Sequence, residues 1–599
     1  MAWYDEAVFY HIYPLGLTGA PKQNDYGEPV HRLNTLLPWV DHIKEIGGSA
    51  LYIGPLFESV GHGYETTDYK KLDSRLGTNE DLTAFVAYCH EQGIKVIFDG
   101  VFNHTGRDFF AFKDIQANRE NSHYKDWYCN VNFWGNNEYN DGFSYDNWGG
   151  YNLLVKLNQK NPAVVDYICD VIRFWVSEFD VDGIRLDAAD VLDFDFMKAL
   201  RRTANEVKPD FWLMGEVIHG DYSRWVNGET LHSVTNYTLH KALYSGHNDH
   251  NYFEIAHTVR RLQNMGTLKL YNFVDNHDVE RIYTKLTNKA HFAPVHVLLY
   301  TLPGVPSLYY GSEFGIEGRK EYGSDDSLRP ALNIEDYKDS VKTNPCTALI
   351  AALGKVRQAV PALSYGSYDE LMLTNRQFAY ARDLDGTRVI VSVNNDDAPA
   401  GMHLAAGNCT AYIGALSGEK VSVQDGHINI TQPANSGEIW VPDGTDLDVK
   451  PVKVVTKTES EAKTNTEDKA ASETATDAKG NKGAEPKIES KESKDIVTAT
   501  ESADAKKNTT NTEKNISAAN EVKDSAKDAS AQAAADTPVD SETITVDWSK
   551  SPESMTVPEL QAAILAKLAG NGPVDAQMKK TVTDNIWHDS LVNWLKSFR

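Results

Sequence analysis

The sequence predicts an α/β protein: a (β/α)8 barrel with an inserted subdomain after its third strand, then an antiparallel β domain, a disordered linker and a short helical C-terminal segment. Three observations carry the prediction. Short apolar, β-rich runs alternate with helical patterns through 1–364. Strand-like pieces recur without long helices through 365–449. Composition then breaks sharply near residue 450.

The expected barrel strands are AVFYHIYP (7–14), SALYIG (49–54), KVIFDGVF (95–102), DGIRLDAA (182–189), FWLMGEV (211–217), HSVTNY (232–237), LYNFVDN (270–276) and PSLYYG (306–311). Helical patterns lie between them. In 161–179, Val164, Ile168, Val171, Ile172 and Trp175 fall on one face, and Pro162 suits a first turn. A doubly wound open sheet would give the same alternation, so the count alone does not decide. The long gap after the third run, rich in Asn, Tyr, Trp and Gly, is read as a subdomain at about 105–160. Its aromatics (Trp127, Tyr128, Phe133, Trp134, Tyr139, Phe143, Tyr145, Trp148, Tyr151) are expected to form mostly a small core. QFAYARD, RVIVSVNN, CTAYIGA, GHINITQ and GEIWVPD supply the β domain.

Residues 451–540 hold no Phe, Trp or Tyr, 14 Lys, no Arg and 18 Asp plus Glu. Such a stretch cannot bury enough apolar surface to offset its chain entropy, so 450–542 is expected to be disordered. VPELQAAILAKLAG and PVDAQMKKTVTDNIWHDSLVNWLKSF, within 543–599, read as two helices that pack together or meet a partner.

The whole chain has 599 residues, with 59 Lys plus Arg against 85 Asp plus Glu, a net charge of −26. An acidic surface repels phosphate backbones, so no nucleic-acid role is expected. No run approaches about 18 apolar residues, so no membrane span is expected. The five cysteines (Cys89, Cys129, Cys169, Cys346, Cys409) form no CxxC pair. Neither a zinc site nor a disulfide framework follows, and free thiols point to a cytoplasmic setting. The N-terminal MAWYDEAVFY has no signal-peptide pattern.

Chemistry in a barrel gathers at the C-terminal ends of its strands. There the sequence places Asp99, Asn103 and His104, then Arg185 and Asp187, then Glu216, then Asn276, His277 and Asp278; the second run leads to His62, Tyr64 and Asp68. Three carboxylates beside an arginine and two histidines suit glycoside cleavage. One carboxylate attacks the anomeric carbon and a protonated partner serves the leaving oxygen, about 5–5.5 Å away in a retaining enzyme. Like charges that close raise one pKa.

These segments resemble the α-amylase superfamily of glycoside hydrolases over about 1–443. FDGVFNH (98–104) is similar to its DxVxNH motif, GIRLDAA (183–189) to GxRxD, GEV (215–217) to the acid/base segment and FVDNHD (273–278) to the HD motif. HGYETTDY (62–69) and GVPSLYYGSEFG (304–315) also fit. The resemblance implies Asp187 as nucleophile, Glu216 as general acid/base, Asp278 as transition-state stabiliser and Arg185 as the group holding Asp187. It implies that His104 and His277 bond sugar hydroxyls, that Tyr64 stacks on the ring with His62 alongside, and that Asp99 supports the site. Asp325 and Arg329 in GSDDSLRPA (323–331) resemble a D-x-x-x-R pair beside the same sugar.

LLVKLNQKNP (153–162) resembles the MPKLN-x-x-NP segment of neopullulanases, cyclomaltodextrinases and maltogenic amylases, with Val155 in place of Pro. Ile218 and Ala189–Asp190 also depart from that group, and its preceding β-sandwich domain is not expected here. The expected substrate is a maltooligosaccharide, cyclodextrin or related α-glucan. The alternatives are a transglycosylase or a trehalose- or sucrose-active relative, and, in another class, a non-catalytic barrel scaffold. No GxGxxG or GxxxxGK[ST] is present, so no organic cofactor is expected. Some α-amylase relatives bind calcium through an asparagine matching Asn103; no further ligand is assignable, and Asn103 is expected as structural support. No particular oligomeric state is assigned.

Overall fold

The computed structural model describes residues 2–266, 268–452, 550–552 and 555–570, together with Val582 and Leu595. Eight short strands carry the first half: β1 (Phe9–Ile12), β2 (Ala50–Ile53), β3 (Lys95–Gly100), β4 (Gly183–Leu186), β5 (Trp212–Gly215), β6 (Ser233–Val234), β7 (Tyr271–Phe273) and β8 (Val305–Tyr309). All are parallel, in the order β6-β5-β4-β3-β2-β1-β8-β7. A parallel bridge from Thr235 to Tyr271 joins β6 to β7 and closes the ring. Sequential order plus closure is a TIM barrel and excludes the doubly wound alternative.

Side-chain alternation decides what each strand presents. Phe9, Tyr52, Ile97, Trp212, Met214, Tyr271, Phe273 and Val305 cluster in the barrel interior. Their neighbours Tyr10, Leu51, Val96, Ile184, Leu213 and Leu308 join the outer core under the helices. Continuing the inward phase past these residues lands on His11, Asp99, Arg185, Asp187 and Glu216. The chemistry therefore sits where inward positions emerge from the packed interior.

The helices follow local rules. α1 (Leu37–Glu45) starts with Pro at its first turn. α2 (Asn79–Glu91) opens on a Thr78–Asp81 capping box. α3 (Pro162–Phe179) is capped by Asn161, whose side chain accepts from the Ala163 amide, and stops at Asp180 in the left-handed region. α4 (Phe194–Val207) is capped by Asp193. α5 (Tyr237–Asn248) and α6 (Tyr252–Asn264) follow β6, and α7 (Phe292–Thr301) and α8 (Pro345–Ala359) flank β8.

Between β3 and α3 the insert forms a small sheet in which Tyr151–Lys156 pairs with His104–Thr105 and Asn147–Trp148. Tyr128, Phe143 and Tyr145 are buried around Phe112, while Trp134, Tyr139 and Tyr151 are exposed. Eight antiparallel strands make the second domain: β9 (Ser367–Leu373), β10 (Gln377–Leu384), β11 (Thr387–Asn394), β12 (Ala400–Ala405), β13 (Ala411–Gly414), β14 (Lys420–Ser422), β15 (His427–Gln432) and β16 (Ser436–Pro442). Six form one sheet, β9-β10-β11-β16-β13-β14, and β12 pairs with β15.

The expected linker lies almost wholly outside the described residues. Further on, Val557–Gly570 is a helix, as read from the sequence, and Leu560, Ala563 and Ile564 share a small core with Met555, Val582 and Leu595. The rest of the second expected helix lies outside the described residues. Among the described residues no helix is long and apolar enough to cross a membrane.

Candidate active site

Arg185 is the hub. Its Nη1 donates to Asp99 Oδ1 at 2.8 Å and to Asp187 Oδ1 at 2.9 Å, and its Nη2 lies 2.8 Å from Glu216 Oε2. Strand register makes this possible: Asp99 pairs with Arg185 across β3–β4, and Met214 with Arg185 across β4–β5. One guanidinium thus bridges the two carboxyls that emerge from β4 and β5, keeping them within roughly 8 Å of each other. Glu216 is also held by the Ala188 amide at 3.2 Å and the Tyr237 hydroxyl at 3.3 Å. Ala188 adopts φ +46°, an uncommon conformation for a residue with a Cβ. That turn aims its amide at Glu216 directly after Asp187, and strain of this kind gathers at functional sites.

Asp278 completes the trio from the loop after β7. Its backbone amide donates to Asn276 Oδ1 at 2.8 Å, and its carboxylate meets Arg329 Nη2 at 2.8 Å and His277 Nε2 at 3.1 Å. Arg329 also bonds Asp325 Oδ2 at 3.0 Å and the His277 carbonyl at 3.0 Å. The D-x-x-x-R pair is therefore drawn to Asp278. Asp187 and Glu216 expose 10% and 14% of their side chains, and Asp278 34%.

Tyr64 stands between the groups. Its hydroxyl donates to Asp99 Oδ2 at 3.1 Å and meets His277 Nε2, and its ring lies nearly parallel to that imidazole. His104 Nε2 holds the Tyr64 carbonyl at 3.1 Å, and Asn103 backs His104 at 3.2 Å. His62 is different: half exposed, it pairs with Glu65 at 3.2 Å and leans on Tyr64 without bonding Asp187, Glu216 or Asp278. Asp68 faces solvent and caps the Lys70 amide.

Burial sets the protonation pattern. It raises both Asp187 and Glu216; Arg185 opposes the rise at each, while Glu216 adds to it at Asp187 and Asp278 adds to it at Glu216. Around Arg185 three carboxylates face one positive charge, so the cluster retains a proton at higher pH than isolated carboxyls would. Burial pulls His277 well down, with Arg329 adding to it, and takes His104 down to about 3. Both imidazoles are neutral near pH 7; the one N–H of His104 goes to the Tyr64 carbonyl.

Four contributors were not anticipated from the sequence. Tyr52 donates to Asp99 Oδ2 at 2.7 Å, Tyr237 reaches Glu216, His11 stacks on Tyr52 with ring centroids 4.1 Å apart, and the Ala188 amide supports Glu216. Tyr52 and His11 share the inward strand phase of the core residues beneath them, a signal present in the sequence. Tyr237 sits on a loop-to-helix step that no periodicity marks.

A calcium ion at Asn103 does not suit these residues. Asn103 Oδ1 accepts from the Gln159 amide at 3.3 Å, and the Gln159 oxygen accepts from the Asp193 amide at 2.6 Å. Calcium requires six to eight oxygen ligands. Among the described residues no cluster of three or more His, Cys, Asp or Glu side chains forms a metal site.

A closed parallel barrel with clustered carboxylates at its C-terminal mouth defines a class of barrel hydrolases. The model of the α-amylase catalytic domain matches residues 32–355. The chain belongs to that family, and it is a glycoside hydrolase of the α-amylase type. It is 30% identical over 422 residues to a cyclomaltodextrinase of Bacillus sp., covering 66% of this chain and 74% of that one. It is 32% identical over 419 residues to a cyclomaltodextrinase of Thermoanaerobacter pseudethanolicus, covering 66% and 71%. A solved cyclomaltodextrinase superposes with a TM-score of 0.66 at 26% identity, over 73% of this chain and 78% of that one.

Proposed function

We propose that this chain is a retaining hydrolase of α-1,4-glucosidic bonds in maltooligosaccharides, cyclodextrins or related α-glucans. The observation that carries the reading is the Arg185 bridge between Asp187 and Glu216. Two carboxyls tied to one guanidinium at the barrel mouth support a nucleophile and an acid working on the same bond. The relatives called cyclomaltodextrinase support the substrate class.

In the first step an Asp187 oxygen attacks C1 while Glu216 gives its proton to the departing glycosidic oxygen. In the second, Glu216 takes a proton from water, whose oxygen displaces Asp187 at C1. Asp278, fixed by Arg329, faces the positive charge that grows on the ring. Tyr64 offers the sugar an aromatic face, and His277 and Asp325 offer hydrogen bonds to its hydroxyls, whereas His104, spent on the Tyr64 carbonyl and Asn103, holds that face in place. His62 extends the Tyr64 rim. Asp99 and Asn103 act through Arg185 and His104 as positioning residues.

The test is a panel of maltotriose, β-cyclodextrin, pullulan and sucrose, with products separated by thin-layer chromatography. Hydrolysis of the first two is expected, with longer oligosaccharides appearing only if sugar transfer competes with water. Asp187→Asn and Glu216→Gln should each lower kcat by at least about 10³-fold without unfolding the protein. Unchanged turnover in both variants defeats the assignment.

A further inference from the structure

We propose that Tyr322 is the ring platform of an outer glucose subsite on the donor side of the cleft; this rests on the hydrolase reading above. The Tyr322 side chain is fully exposed, at 108% of its reference area, on a loop beside the catalytic carboxylates. An aromatic ring left wholly in water gains when an apolar face covers it. The C–H face of a glucose unit is such a cover, and it needs no hydrogen-bonding partner from the ring.

Contacts at both ends of the loop hold the turn that carries the ring. Glu321 and Ser324 form an antiparallel bridge across a turn whose Gly323 has φ +74°, which leaves Tyr322 at the tip. On one side of the turn, Lys320 Nζ donates to the Asp278 carbonyl at 2.9 Å and lies 3.4 Å from Asp325 Oδ1. On the other, Asp325 bonds Arg329, which grips the Asp278 carboxylate. Lys22, from the loop after β1, pairs with Asp326 at the surface beside the turn. Tyr322 is two residues from Lys320, so the turn that carries it is tethered to the Asp278 loop.

The same anchors decide the side. Glu216 serves the leaving oxygen, so the acceptor portion of the glucan lies toward Glu216. The Tyr322 turn is tied instead to Asp278, Asp325 and Arg329. Its ring therefore meets glucose units on the non-reducing side of the cleaved bond.

The experiment compares kcat/KM for maltohexaose with that for 4-nitrophenyl α-glucoside, which fills only the sugar position at the bond broken. Tyr322→Ala should lower the maltohexaose-to-glucoside ratio about three- to tenfold, mainly through KM. Tyr322→Phe and Tyr322→Trp should keep the wild-type ratio. An unchanged ratio in Tyr322→Ala overturns the proposal. Calorimetry with maltohexaose on Asp187→Asn, with and without Tyr322→Ala, reads the subsite independently of turnover. A Kd raised by a similar factor supports it, and an unchanged Kd overturns it. Failure of wild-type protein to cleave either substrate would instead sink the hydrolase reading.

Discussion

Arg185 answers Asp99, Asp187 and Glu216 with a single positive charge, and the excess negative charge has a cost that can be measured. Burial holds the folded pKa of Asp187 above its ordinary 3.8. A carboxyl raised on folding contributes stability below its unfolded pKa and loses it as pH rises through the folded one. Asp187→Asn, which cannot ionise, should therefore match wild type near pH 4 and exceed it at pH 8, by on the order of 1 kcal/mol. Thermal unfolding at the two pH values checks this; a variant relatively less stable at pH 8 than at pH 4 contradicts it. The same residues show what was legible beforehand. Asp187 and Glu216 stand out because they follow apolar runs whose phase points inward, and Asp278 because it closes the FVDNHD segment after β7. Tyr237 and the Ala188 amide could not be seen, since one arrives from a loop and the other acts through its backbone. His62 was visible as part of a motif, yet its side chain is spent on Glu65.

At the level of the element, the site depends on how closely β2 and β3 approach. Gly54 follows β2, and a Cβ there would sit 2.2 Å from the Asp99 Cβ. Asp99 has no free space to yield, since Tyr52, Tyr64 and Arg185 all hold its carboxylate. Gly54→Ala should destabilise the fold by about 1–3 kcal/mol and displace Asp99 and, through it, Arg185. Denaturant unfolding together with kcat on maltotriose checks both effects, and wild-type values in both contradict the packing argument. Helix α3 was readable to its ends because Asn161 and Pro162 are start signals and its apolar residues share one face. The run 232–237 marked β6 but not its ends, since two residues are too few for a period and tertiary pairing defines them.

For the whole molecule, α7 joins barrel and β domain into one unit. Helix α7 is buried nearly all round, so its sequence shows no polar face. Arg382 of β10 donates to the Thr301 carbonyl at its C-terminus, and Gly437 of β16 lies against Val297. A chain ending at residue 364 should expose this helix and fail to fold as soluble protein. A chain ending at Gly483 should keep kcat/KM on maltotriose within about twofold. Expression and kinetics of the two truncations check this, and a soluble, active chain ending at 364 contradicts it. Ring closure is the whole-molecule feature the strand count could not decide, because it rests on the Thr235–Tyr271 bridge between segments distant in sequence.

The most direct measurement of the central claim is to trap the covalent intermediate with 5-fluoro-α-glucosyl fluoride and map the labelled peptide by mass spectrometry. The account predicts one fluoroglucosyl group on Asp187, absent from Asp187→Asn. Attachment to Asp278 or Glu216, or no attachment to an enzyme that turns the reagent over, would contradict it.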